Sequence, residues 1–250
     1  MKFIFTLSIF AITLFSSCTL LDSANRSKSE ADKILSKTIK AHGGKKYDKA
    51  HYEFVFRKKK YTFKNEGQKY KYTSSSTKDG QKIIDVLNND GINRTIDGKA
   101  IALSEKQIRG YTGSLNSVIY FATLPHKLLD PAVNKSYKGI TNINGQVYQV
   151  LHIYFNEENG GVDHDDNFYY WINAKTNRID YLAYDYKVNN GGVRFRSAYN
   201  TRIVDGILFQ DYVNYKAPVG TALKDLPALF EKNELKKLSV IETKNIVNLK

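Results

Sequence analysis

Residues 160–167 read Gly160-Gly161-Val162-Asp163-His164-Asp165-Asp166-Asn167, which sets three carboxylates and an imidazole in four consecutive positions. Donors at that density could hold a divalent cation. The spacing, however, is not that of an EF-hand loop, and the segment offers no helix-borne His pair. Solvated charge at an exposed hairpin tip is the better reading, so no metal is assigned. His42, His51, His126 and His152 stand far apart, and a hydrogen-bonded structural histidine is the default for each. No Gly-x-Ser-x-Gly occurs, and no phosphate-cradling glycine loop follows a strand. Hydrolysis in a cavity would call for paired carboxylates or a Ser/His pair, and only Asp185 and Asp211 sit within aromatic strand-like runs. The sequence therefore assigns no catalytic residue and no cofactor, and points away from an enzyme.

The sharpest chemistry belongs to Cys18, the single cysteine, which has no partner in the chain for a disulfide. Lys2 is followed by thirteen residues, 3–15, that are apolar apart from Thr6, Ser8 and Thr13. This is a secretory core, too short to span a bilayer as a helix of about 20 residues. It ends Leu14-Phe15-Ser16-Ser17-Cys18, which resembles the bacterial lipobox, with Phe15 where leucine is usual. That resemblance implies a diacylated Cys18 at a new N-terminus, anchored by roughly 0.8 kcal/mol per buried methylene. Residues 1–17 are then a signal peptide, 18–28 a lipidated tether and 29–250 a single domain. No acidic pair follows the cysteine, so an outer-membrane anchor facing the periplasm is expected.

The formal charge of +13 suits an anionic membrane surface or nucleic acid. The lysines are scattered, however, and the one run, Arg57-Lys58-Lys59-Lys60, reads as a solvated strand face. With a secreted address, the expected partners are a membrane and a lipid or acyl-chain ligand, not nucleic acid.

The positioning elements are mostly strands. Residues 145–215 hold five aromatic and β-branched runs, each closed by Gly or Asn, the signal of an antiparallel meander. Strands also fill 50–101, between turns at 65–67, 78–80, 88–91 and 97–98, with Tyr52, Phe54 and Phe56 on one face. Ser27 and Glu30 offer a capping box for a first helix with the stripe Ala31, Ile34, Leu35, Thr38 and Ile39. Ser104 and Gln107 do the same for a second, whose stripe runs Ile108, Tyr111, Leu115, Val118, Ile119 and Ala122 until Pro125 ends it. A short helix near Pro227 and a last strand over 238–249 complete the chain. Ten or eleven antiparallel strands exceed what an open twisted sheet carries comfortably. The expected fold is mainly β (α+β), a curled sheet forming a half-open barrel, with two or three helices on or in its concave face.

The run Asn167-Phe168-Tyr169-Tyr170-Trp171-Ile172-Asn173-Ala174-Lys175-Thr176-Asn177-Arg178-Ile179 resembles the strand–turn–strand signature of the periplasmic lipoprotein-carrier (LolA/LolB-like) superfamily. Arg202-Ile203-Val204-Asp205-Gly206-Ile207-Leu208-Phe209 does too, with Gln210 where many members have proline. With the leader and the helix order, the chain looks closest to an uncharacterised family of secreted lipoproteins on that fold. The resemblance implies a half-barrel, a helical lid and an apolar cavity for acyl chains. Alternation alone nominates Leu151, Ile153, Phe155, Trp171, Phe195 and Phe209 as cavity residues, and the second helix adds Ile108 and Leu115. The expected function is non-catalytic binding of an amphiphile. The alternatives are a structural or protein-interaction lipoprotein with a filled barrel and, more remotely, an envelope hydrolase.

Overall fold

The computed structural model describes residues 29–155, 166–187 and 190–250. Cys18, its leader and residues 163–165 of the acidic cluster lie outside the described residues. Helix α1 (Glu30–Ala41) starts at Ser29, whose hydroxyl accepts the Asp32 N–H at 3.1 Å while the Asp32 carboxylate accepts the Ser29 N–H at 3.2 Å. The capping box therefore sits two residues beyond the expected Ser27–Glu30 pair, because Asp32 reaches back to the cap and also pairs with Lys135 at 3.0 Å. Its apolar stripe is buried as read: Ala31, Ile34, Leu35, Thr38 and Ile39.

Six hairpin-linked strands follow: β1 (His51–Phe56), β2 (Lys59–Glu66), β3 (Lys69–Lys78), β4 (Gln81–Asn88), β5 (Gly91–Ile96) and β6 (Lys99–Ile101). Helix α2 (Glu105–Ala122), capped by Ser104 and Gln107 as expected, carries the chain onward to β7 (Val133–Ile143). The meander is β8 (Gln146–Phe155), β9 (Asn167–Asn173), β10 (Ile179–Tyr186), β11 (Gly192–Val204) and β12 (Ile207–Ala217). Helix α3 (Leu226–Glu231), begun by Pro227, then leads to β13 (Lys236–Ile241) and β14 (Thr243–Asn248).

These fourteen strands form two antiparallel seven-stranded sheets, ordered β14-β1-β2-β3-β4-β5-β6 and β13-β12-β11-β10-β9-β8-β7. The expectation of one curled sheet of ten or eleven strands is corrected on three counts. Arg57, with φ of 56°, turns the chain back within what reads as one basic strand and makes β1 and β2 out of it. The polar run Val133–Ile143 pairs with β8 although it has little alternation, since an edge strand needs only one partner. The last strand breaks at Glu242, so β13 pairs with β12 and β14 with β1. Through that one residue the chain passes from one sheet to the other. The remaining edges, β6 and β7, are not paired with each other, so the described residues form no closed barrel.

The passage is pinned by Asp211, buried on β12. Its Oδ1 accepts the Thr243 N–H at 2.9 Å and Arg202 Nη2 at 3.0 Å, and its Oδ2 accepts Asn200 Nδ2 at 2.6 Å. Asn200, with φ of 48°, marks a register shift in β11 that bends the strand there. The β11–β12 hairpin closes on Asp205-Gly206, both with positive φ, the geometry whose twist matches that of its strands. A Cβ on Gly206 would come within 1.9 Å of Lys46 Nζ.

Three apolar clusters fill the fold. One face of the second sheet, with Leu151, Ile153, Tyr170 and Leu182, takes the stripe of α1. The first sheet offers Tyr52, Phe54, Phe63 and Tyr72 to Leu115 and Ile119 of α2. The opposite face of the second sheet, with Val150, Trp171, Tyr181 and Phe195, is covered by Leu223 and Leu226 and by α3. The third helix therefore packs on the other face of that sheet from α1, against the expectation that all helices share one face.

Candidate functional site

Helix α2 is eighteen residues long, yet Leu115 and Ile119 are its only buried side chains. Its first two turns are exposed, and its last turns reach both sheets: Leu115 and Ile119 pack on the first, while Tyr120 and Phe121 meet Phe168 and Tyr184 of the second. The Tyr120 and Tyr170 hydroxyls lie 2.5 Å apart. Further along, Arg94 places its guanidinium carbon 3.4 Å from the Tyr111 ring centroid while gripping Asp85 through two bonds of 2.6 and 2.9 Å. A helix held by so few buried groups is at the low-stability end of a fold.

Beneath its last turns lies a half-open cleft of about 220 Å³. Val118, Phe121 and Ala122 line it from the helix, and Phe56, Tyr212 and Ile241 from the sheets. The strand wall is polar, with Arg196, Gln210, Asn214 and Ser239, Thr243 at the junction of the sheets and Arg57 just after β1, while Ser117 adds a hydroxyl from the helix. Two guanidiniums and no carboxylate or imidazole are among the lining residues.

Strand register brings the wall together. Leu182 on β10, Arg196 on β11, Asn214 on β12 and Ser239 on β13 are successive cross-strand partners, so they stand side by side. Arg196 retains only 7% of its exposure. Its guanidinium carbon is 3.7 Å from the Phe121 centroid and 5.2 Å from that of Tyr184. Nη2 donates to the Tyr184 hydroxyl at 2.9 Å, whereas Nε and Nη1 are buried without an acceptor, and so is Asn214 Oδ1 without a donor. Gln210 donates to the Ile179 carbonyl and to the Tyr212 hydroxyl, each at 2.7 Å. Burial pushes the Tyr212 phenol up to about 12, so it stays neutral at physiological pH.

The Family of unknown function (DUF6503) has a family model that matches residues 9–243. The chain belongs to this family. No curated protein matches it. Among solved structures the DUF6503 chain is similar to a LolA superfamily protein from Nitrosomonas europaea, at 12% identity and a TM-score of 0.49, covering 86% of this chain and 92% of that one. It is also similar to a proposed outer membrane lipoprotein-sorting protein domain from Vibrio parahaemolyticus, at 11% identity and a TM-score of 0.47, covering 87% and 91%. A DUF1329 family protein from Desulfovibrio piger follows at 11% identity and 0.41, covering 89% and 94%. These are loose likenesses, and the functional reading rests on the cleft.

None of the eight residues nominated for a cavity lines the cleft. Leu151 and Ile153 are fully buried under α1, with Phe155 packed against their cluster. Trp171 and Phe195 point to the opposite face of that sheet, beneath α3. Phe209 is enclosed by Tyr52 and Phe63, Leu115 joins the same cluster, and Ile108 is 42% exposed. Alternation tells which face is covered, not whether protein or ligand covers it. The polar wall residues were missed because Arg, Gln and Asn in a strand read as solvent-facing. The signal was the phase of β12: Asn214 shares parity with buried Leu208 and Tyr212, and Arg196 stands across from it.

His42 and His126 are buried structural groups. His42 Nε2 accepts the Ile179 N–H at 3.2 Å, and burial drives its pKa down to about 3, helped by nearby Arg178. His126 stacks on Tyr47 at 4.9 Å, and burial likewise lowers its pKa. Asn173, within the signature that suggested a carrier fold, accepts the N–H groups of Lys175 and Thr176 at 3.0 and 3.1 Å and so builds the turn. Asp185 accepts the Asn167 N–H at 3.2 Å, and Asp211 is engaged at the sheet junction. Among the described residues no group of three or more His, Cys, Asp or Glu could hold a metal ion.

Proposed function

We propose that this DUF6503 chain is a bacterial envelope lipoprotein, anchored through acyl chains on Cys18 to the outer membrane and facing the periplasm. It binds a hydrophobic or amphiphilic ligand, a lipid or an acyl chain, without chemistry. The observation that carries the reading is the two-sided cleft under α2: an apolar side of Phe56, Val118, Phe121, Ala122 and Ile241 faces a polar strand wall, roofed by a helix with two buried side chains. Its volume of about 220 Å³ falls below the roughly 300–1,000 Å³ of typical ligand pockets, so a full chain enters as α2 lifts. The lipobox-like end of the leader supports the anchor. The absence of carboxylate and imidazole among the lining residues supports binding over hydrolysis. Complete burial of Leu151, Ile153 and Phe195 by protein favours a second reading, a structural lipoprotein with a filled interior. Mass spectrometry of non-covalent lipid extracted from the purified protein decides between them. A defined amphiphile near one per chain is expected, and its absence after gentle purification would favour the filled interior.

A further inference from the structure

A guanidinium in a protein interior normally meets a carboxylate, because an uncompensated buried charge is expensive. Arg196 does not. It makes no ion pair among the described residues, donates one hydrogen bond to Tyr184, and otherwise relies on two aromatic faces. A guanidinium has five N–H donors, and the orphaned Nε and Nη1 carry three of them. The second orphan of the cleft, the Asn214 amide, stands directly across the strand pair. Its one side-chain hydrogen bond among the described residues is a long 3.4 Å bond to Ser239. The two ends of an amide are assigned from such bonds, so either its oxygen or its nitrogen is available to a ligand.

The apolar side of the cleft and the unpaired cation on its polar side together specify a ligand with both characters. We infer that Arg196 and Asn214 form the headgroup site for an anionic amphiphile, whose carboxylate or phosphate oxygen takes the unpartnered N–H groups while its chain runs along Val118, Phe121 and Ile241 of the cleft. This rests on the amphiphile-binding reading above and adds the sign of the headgroup charge. Phe121 covers the guanidinium in this arrangement, so the oxyanion reaches it as α2 moves aside. Charge-assisted hydrogen bonds are stronger than neutral ones and gain further in a low-dielectric cleft, which makes the headgroup rather than the chain the selective element. Arg57 adds a second positive charge to the lining, with its guanidinium carbon 5.1 Å from the Phe56 centroid.

The test compares ligands of one chain length on the delipidated protein by calorimetry: decanoate, decyl phosphate, decanol and inorganic phosphate. Decanoate and decyl phosphate should bind at least tenfold more tightly than decanol, and inorganic phosphate weakly. In Arg196→Met, which removes the charge and keeps most of the volume, both anions should fall to the level of decanol, losing at least tenfold more affinity than decanol does. Arg196→Lys should keep part of the preference, and serves as the variant should the methionine protein not fold. Equal binding of decanol and the anions by the parent, or a preference that survives Arg196→Met, overturns the headgroup assignment and leaves amphiphile binding standing. Phosphate alone binding as tightly as decyl phosphate overturns the amphiphile part of the inference. No binding of any chain-bearing ligand overturns the proposed function itself.

Discussion

Arg196 of β11 sits over the ring of Phe121 of α2, with 3.7 Å between guanidinium carbon and ring centroid, and so joins the roof of the cleft to its floor. A contact of this kind contributes on the order of 1–2 kcal/mol when desolvated. Phe121→Leu should therefore lower stability by about that amount in urea unfolding. It should also speed entry of a fluorescent fatty acid in stopped-flow mixing, because the helix is released. Slower or unchanged entry would show that Phe121 does not govern access.

The sheet junction depends on Asp211, which is 3% exposed and satisfies Thr243, Arg202 and Asn200 at once. Asp211→Ala strands a partly buried guanidinium and a backbone N–H, and should cost about 3–5 kcal/mol in the denaturant midpoint. A loss below about 1 kcal/mol would mean that β13 and β14 hold the sheets together without it.

His42 gives the pH dependence its direction. Its folded pKa of about 3 lies below the ordinary value of 6.5 because burial and Arg178 oppose the charged form. Between those two values the unfolded chain binds a proton that the native state refuses. Stability from this group is fully present above about pH 6.5 and is lost as pH falls toward 3, by at most about 1.4 kcal/mol per pH unit. In His42→Gln the slope of unfolding free energy against pH should flatten over that window, and an unchanged slope would assign it to other groups.

The stripe of α1, the capping pair of α2 and the hairpin turns were legible in the sequence because they depend on residues close together in the chain. Ser104 with Gln107 and the positive-φ pair Asp205-Gly206 are decided locally. What was not legible depends on distant pairing. The break at Glu242 follows from Asp211 capturing Thr243, some thirty positions away, and β7 becomes a strand only because β8 offers it an edge. The cleft eluded the reading for a related reason. Its strand wall is polar, and that wall is covered by a helix that reaches it across the fold.

The anchor has a direct genetic test. Cys18→Ala should leave the protein unprocessed or soluble, and metabolic labelling with a palmitate analogue should mark only the parent. Labelling of the variant would remove Cys18 as the lipidation site.

Whether the space beneath α2 holds a ligand is read by a saturation titration of the delipidated protein with a fluorescent fatty acid, in two variants beside the parent. Val118 lines the cleft, whereas Ile153 is fully buried in the core under α1. About one probe per chain is expected for the parent, and at least tenfold weaker binding for Val118→Trp, with little loss of stability. Ile153→Trp should instead overpack the interior, costing roughly 1–3 kcal/mol, and should bind normally once folded. No saturable binding by the parent, or full binding by Val118→Trp, would contradict a ligand site beneath α2.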